Sequence, residues 1–380
     1  MPAYTALRVS AIDSLPEVEP GSLARAHSRL VAWILESGAQ LAAGPHSGGV
    51  AGRLDAAGRP QYVYPEITGY YLQWLASRSS RGSSVERAWS RADAAQQWLC
   101  RWIHTSPTPP TRVYLHDARD DWRNHARFCF DYAMVLRGLA AAAEQDLLEP
   151  DPGLVDCVCD HLEALVGDDG LLNASRSWMR DFTLPARWST RRGPFLAKAA
   201  RGILDAARVL DVPPRLLDAA SATYAASLEW AVGSAHDYTH AFLYTVEGLL
   251  ASARDEMPAD VMHALAAQFG RLLERTRGLG HVPESHSNVE VRRVDIVAQA
   301  VRVMVLLRAH GEPMTGYRGV LELLIEVLAG SIEESGGIPF DLRIQPTQYN
   351  AWAALFAEQA LDWAAALRDE PGTAGDAYLV

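Results

Sequence analysis

The chain is predicted to be an all-α protein in which six helical hairpins close into a ring. Three observations carry this reading. Apolar residues recur at three- and four-residue spacing through twelve stretches, and no run alternates as a strand would. The links between stretches alternate between short and long. Glycine-led turns open several of the long ones, which marks an internal repeat.

The helices are expected at about residues 22–42, 66–78, 84–104, 128–144, 152–166, 194–210, 214–233, 237–254, 258–277, 294–310, 315–334 and 349–368. Asp151-Pro152 sets a capping acid before a proline at the first helical position, and Pro214 and Pro258 suit the same first turn. Links from an even to the next odd helix are short: 79–83, 145–151, 211–213, 254–257 and 310–314. Links from odd to even are long, at 105–127, 167–193 and 278–293, and long loops in a compact domain usually carry function. The recurring turns are Gly48-Gly49-Val50, Asp169-Gly170-Leu171, Gly280-His281-Val282-Pro283 and Gly336-Gly337-Ile338-Pro339. They define a unit of roughly 45–65 residues, a helical hairpin plus one long loop. Even-numbered helices are expected inside the ring. Leu196-Ala197-Lys198-Ala199-Ala200 and Ala351-Trp352-Ala353-Ala354-Leu355-Phe356 show why: they are small and apolar on most faces, and such a helix is a buried one. No Pro/Ser/Gly-rich linker divides the chain, which predicts one domain over 1–380 with an N-terminal arm (1–20) and a C-terminal tail (370–380).

Composition narrows the function classes. With 49% hydrophobic and 21% charged residues, the 380-residue chain is globular rather than disordered or fibrous. Its net charge of −11 repels phosphate backbones, which argues against nucleic-acid binding. Met1–Pro20 lacks the basic start and apolar run of a signal peptide, and no stretch reaches the ~18 apolar residues of a membrane span. Four cysteines are too few and irregular for a disulfide framework. Cys157-Val-Cys159-Asp-His161 falls within one helix, where residues two apart point to different faces, so no metal site is read there. The expectation is a cytoplasmic protein with no cofactor; nothing in the chain specifies its oligomeric state. Lys198 is the sole lysine, which a GC-rich coding bias accounts for.

The chain resembles the (α/α)6-toroid carbohydrate-active proteins: six-hairpin glycosidases such as unsaturated glucuronyl hydrolases, N-acylglucosamine 2-epimerases and the helical domains of polysaccharide lyases. The hairpin repeat and glycine-led loops carry the likeness. So do three segments: Tyr64-Pro65-Glu66-Ile67-Thr68-Gly69-Tyr70, Phe130-Asp131-Tyr132-Ala133-Met134-Val135-Leu136, and Gly336-Gly337-Ile338-Pro339 followed by Tyr349-Asn350-Ala351-Trp352. The likeness spans nearly the whole chain as architecture, assigns no subfamily, and implies a carbohydrate substrate. Related toroids also house isoprenoid cyclases and transferases, so fold alone does not set function.

Each even helix opens with polar residues aimed at one end of the expected ring. Glu66, Asp131, Phe195, His240, Asp295 and Asn350 recur at intervals of 65, 64, 45, 55 and 55 residues. Glycosidic cleavage needs two carboxyls, one kept protonated by burial and one ionised. Glu66 and Asp131 are the candidate acid/base pair, with His240 and Asp295 assisting. First-turn acids also serve merely to complement the helix dipole, and a histidine on an apolar helix is often a hydrogen-bonded core residue. Candidate substrate-binding residues are Tyr64, Tyr70, Arg127, Trp188, Arg192, His236, Tyr238, Arg293, Tyr349 and Asn350. Arginines crowd the long loops, among them Arg112, Arg119, Arg123, Arg176, Arg187, Arg292 and Arg343, which suits an anionic glycan unless the aspartates of the same loops neutralise them.

The leading function is hydrolysis or elimination at a glycosidic bond of an oligosaccharide or glycan intermediate. Alternatives are sugar epimerisation with His240 as base, a non-catalytic glycan-binding or scaffold protein of polysaccharide biosynthesis, and an isoprenoid cyclase or transferase. Against the last, Asp117-Ala-Arg-Asp120-Asp121 is neither DDxxD nor DxDD. The chain also carries no GxxxxGK[ST] or GxGxxG phosphate loop.

Overall fold

A computed structural model describes residues 20–79, 85–233, 237–251 and 257–369; most of the expected arm (1–19) and the tail (370–380) lie outside the described residues. Twelve α-helices occupy the described chain: α1 Pro20–Glu36, α2 Pro65–Ser79, α3 Val85–Ile103, α4 Cys129–Glu144, α5 Pro152–Glu163, α6 Leu196–Ala206, α7 Pro214–Gly233, α8 Thr239–Leu250, α9 Ala259–Leu279, α10 Val294–Ala309, α11 Arg318–Ser331 and α12 Ala351–Asp369. Each matches an expected stretch. The largest boundary error is at α1, which stops at Glu36 rather than 42 because Gly38 turns left-handed at φ 81°. Asp151 caps α5 as expected, accepting the Leu154 N–H at 2.8 Å.

The expectation of no strands is corrected. Five short strands lie in the long loops: β1 Ala51–Leu54, β2 Pro60–Val63, β3 Val113–Tyr114, β4 Ala126–Phe128 and β5 Ser175–Ser177. β1, β2 and β3 form one antiparallel sheet, and β4 pairs antiparallel with β5. Segments of two to four residues are too short for a period of two to show in sequence. They nevertheless express the repeat. The residues leading into an even helix pair with the loop of the following repeat, at Tyr62–Tyr114, Phe128–Ser175, Tyr238–Ser285 and Arg293–Asp341. The glycines that open the repeated turns, Gly48, Gly170, Gly280 and Gly336, all have positive φ, a conformation that side chains resist.

The described residues divide into two compact units, one within 37–230 and one combining 20–36 with 231–369. In the first, α2 packs on α4 and α4 on α6; in the second, α8 packs on α10, α10 on α12, and α1 on α12. The even helices are buried on every face. Pro65–Ser77 of α2 and Val294–Val305 of α10 contain no exposed residue, whereas α5 and α9 bury one stripe each. That difference is what all-round apolarity predicts. No described helix is long and apolar enough to cross a membrane.

Candidate functional site

In the unit from Ser37 to Trp230, two carboxyls meet because two helices cross closely. A Cβ placed on Gly69 of α2 would lie 2.4 Å from the Met134 carbonyl oxygen of α4, and one on Gly138 would lie 2.4 Å from that of Gly69. Only glycine permits this backbone approach. Glu66 stands one turn before Gly69, and Asp131 one turn before Met134. The crossing therefore brings the first-turn acids of two helices together.

The loops complete the arrangement. Pairing of β2 with β3 sets Tyr64 beside the segment that holds Thr111 and Arg112. Asn124 fixes Arg112 from both sides of its peptide, accepting its N–H at 2.8 Å and donating to its carbonyl at 2.9 Å. The Arg112 guanidinium lies 4.8 Å from the Tyr62 ring centroid and reaches Asp121 Oδ2 at 3.3 Å. The Tyr64 hydroxyl donates to Asp131 Oδ1 at 3.2 Å and feels the Glu66 charge as well.

Glu66 and Asp131 are 6% and 4% exposed. Burial pushes Glu66 up from the ordinary carboxylate range to about 7, opposed by the Tyr64 hydroxyl and by the charges of Lys198 and Arg112. Asp131 is raised well above its usual range by burial and by the neighbouring Glu66 charge. Its Oδ2 is buried with no hydrogen bond among the described residues. Burial and the two acids also keep Tyr64 a neutral phenol, hence a donor. Two carboxyls so placed retain one proton between them near neutral pH, the division of labour that acid/base chemistry requires.

The other two catalytic candidates belong to the second unit and form a different kind of cluster. Asp295 Oδ2 receives the Arg293 guanidinium at 2.5 Å, and Arg293 also reaches Glu284 at 3.3 Å. The fully buried Asp295 is thereby held below the usual carboxylate range despite its burial. His240 Nδ1 lies 2.5 Å from Gln299 Oε1, and its ring meets Tyr244 and Trp352 at 4.3 and 5.0 Å. Burial, reinforced by Arg293, drives His240 down to about 3. It is a neutral imidazole, far from the base near 7 that epimerisation was expected to recruit. Below it, Gln299 donates to Glu247 at 3.3 Å, and Arg302 binds both Glu247 and Gln359 with its guanidinium 3.9 Å from the Phe356 ring.

The substrate-binding candidates divide by environment. Tyr238 is 44% exposed at the cap of α8, and Arg127 lies 4.2 Å over the Trp178 ring. Trp188 meets Phe195 edge-on at 5.1 Å. Tyr70 is fully buried and offers no ring face to a ligand. Arg192 clasps its own loop, paired with Asp169 and donating to the carbonyls of Leu171 and Leu172 at 3.2 and 3.1 Å. The Tyr349 hydroxyl donates to Glu333 at 2.5 Å, and Asn350 caps α12 through the Ala353 N–H at 2.8 Å. His236 lies outside the described residues. Five of the loop arginines, Arg112, Arg123, Arg192, Arg293 and Arg343, have carboxylate partners. Sequence reasoning left out Lys198, whose ammonium lies 5.1 Å from the Tyr70 ring centroid. Its signal was a lone lysine in an apolar helix, which coding bias had absorbed.

No family profile matches the chain, and no curated protein matches it in sequence. Solved structures do match in fold. The cellobiose 2-epimerase of Spirochaeta thermophila aligns at a TM-score of 0.66 with 13% identity, over 92% of this chain and 100% of its own. A D-mannose isomerase gives 0.65 with 14% identity, over 92% and 99%. An unsaturated glucuronyl hydrolase specific for heparin gives 0.63 with 13% identity, over 93% and 99%. Helix content and these likenesses together show that the chain has the all-α (α/α)6-toroid fold.

Proposed function

We propose that this chain acts on a carbohydrate as a single toroid domain, cleaving a glycosidic bond in an oligosaccharide or glycan intermediate. The observation that carries the reading is the buried Glu66–Asp131 pair at the starts of α2 and α4, with the Tyr64 hydroxyl donating to Asp131. The protonated member donates to the glycosidic oxygen as the bond breaks. The ionised member takes the proton of the attacking water or adds to the anomeric carbon. The hydrolase among the structural neighbours supports the same reading.

Epimerisation is the second reading, favoured by the epimerase and isomerase neighbours. It sits less well with His240, whose protonated form is disfavoured in its apolar surroundings. Carboxylate pairing of Arg112, Arg123, Arg192, Arg293 and Arg343 weakens the case for an anionic substrate.

A thermal-shift screen against neutral, uronic and phosphorylated oligosaccharides tests the proposal. Any sugar that raises Tm is then followed for new reducing ends and for exchange at C2 in deuterated water. A ligand present at 100 times its Kd adds about 2.7 kcal/mol, a readily visible shift. New reducing ends are expected. C2 exchange without cleavage would transfer the assignment to epimerisation, and no shift with any sugar would remove the carbohydrate reading.

A further inference from the structure

Lys198 is the single lysine among 380 residues, and the other 34 cationic side chains are arginines. It lies in the first turn of α6 with no exposed surface. Both facts make its position costly: burial strips an ammonium of water, and a cation at a helix N-terminus opposes the helix dipole. Such a charge persists only beside a compensating anion. Asp205, the acid of the same helix, is occupied by Arg201 at 2.8 Å and Arg137 at 3.4 Å.

The remaining acid is identified by helix geometry. The Lys198 ammonium rests 5.1 Å from the ring centroid of Tyr70, and Tyr70 lies four residues after Glu66 on α2. Residues four apart share a helix face, so the ammonium is set on the Glu66 side of the pair. Arg112 approaches from the opposite loop but is committed to Asp121 and stacked on Tyr62. We propose that Lys198 is a positioning residue that assigns the proton within the Glu66–Asp131 pair, holding Glu66 as the carboxylate and leaving Asp131 as the acid. The inference rests on the cleavage reading and deepens it by dividing the roles.

The groups around the pair are Tyr64 and Tyr70 from α2 and its leader, Thr111 and Arg112 from the loop after α3, Cys129 and Tyr132 from α4, and Lys198. Burial, joined by the Asp131 charge, pushes Cys129 to about 12, and Tyr132 is likewise raised, so both stay neutral. The pair and the two cations are the charges in play. Lysine suits the role better than arginine because its ammonium is a compact point charge, whereas a guanidinium is a planar fork that needs several acceptors.

The sole-lysine sequence makes the test direct. Protein labelled with 13Cε-lysine yields one side-chain resonance, which can be followed from acid to alkaline pH in the wild type, Glu66→Gln and Asp131→Asn. The expected result is an ammonium signal throughout, with a step as Glu66 ionises that disappears in Glu66→Gln and survives in Asp131→Asn. A neutral amine at pH 7 in the wild type, or a step unchanged by Glu66→Gln, would overturn the proposal. This arm needs no substrate, so it stands or falls apart from the cleavage reading. Where a substrate is turned over, Lys198→Met, which keeps the length of the side chain, is expected to move the acid limb of the kcat/KM profile upward by one pH unit or more. Lys198→Met with wild-type activity and pH profile would also refute the assignment.

Discussion

Replacing Glu66 by glutamine separates a buried, protonated carboxyl from an ordinary surface-like one through the pH dependence of stability. Glu66 rises from 4.5 in the unfolded chain to about 7 in the fold, chiefly through burial. The sign follows from linkage. Below 4.5 both states hold the proton and the native state bears no penalty. Between 4.5 and 7 the unfolded chain ionises while the native site does not, so stability falls as pH rises; above 7 the loss levels off. At 1.36 kcal/mol per pH unit, the full loss is about 3 kcal/mol. Glutamine does not titrate and escapes it. The Tm difference between Glu66→Gln and wild type is therefore expected to grow in the variant's favour from about pH 5 to pH 9, by roughly 3 °C. Differential scanning fluorimetry across that range measures it. A Tm difference that stays constant with pH would refute the reasoning, because Glu66 would then ionise in its ordinary range.

Three further outcomes follow from the same packing. Tyr64→Phe removes the hydroxyl that donates to Asp131 and is expected to lower kcat/KM about ten- to a hundredfold with little change in Tm, read by steady-state kinetics and melting. Gly69→Ala drives a methyl against the Met134 carbonyl, 2.4 Å from the ideal Cβ, and should cost about 1–3 kcal/mol in chemical denaturation. Arg302→Met strands the buried Glu247 and is expected to cost about 3–5 kcal/mol by the same measurement, whatever its effect on turnover.

Much of the architecture was legible because the even helices are apolar on every face and the odd ones on a single stripe. Both patterns survive in a list of residues. The repeated glycines were equally readable, since a turn with positive φ restricts which residue can occupy it. Strands β1 to β5 were not, because their length is two to four residues and, apart from the β1–β2 pair, their partners lie in other loops. At the site, Glu66 and Asp131 stood out as charges in otherwise apolar helix starts. Their proximity depended on the Gly69–Gly138 crossing, which no single-helix pattern contains. Tyr70 failed as a ligand-facing ring for a related reason: on a helix buried all round, periodicity does not say which side meets a cavity. Arg192 and Arg293 were offered as substrate-binding cations with neutralisation by loop aspartates as the alternative, and the folded loops pair them with Asp169 and Glu284. His240 looked like a base until α10 brought Gln299 and Asp295 against it.

The most direct test of glycosidic cleavage by the Glu66–Asp131 pair is a side-by-side measurement of new reducing ends from wild type and Asp131→Asn on the same oligosaccharides. Asparagine matches the shape of the acid and removes its proton chemistry, so the variant is expected to melt within a few degrees of wild type. Loss of a general acid or base costs roughly 10²–10⁴ in rate, and the variant should release correspondingly fewer ends. A folded Asp131→Asn protein that cleaves at the wild-type rate would contradict the account.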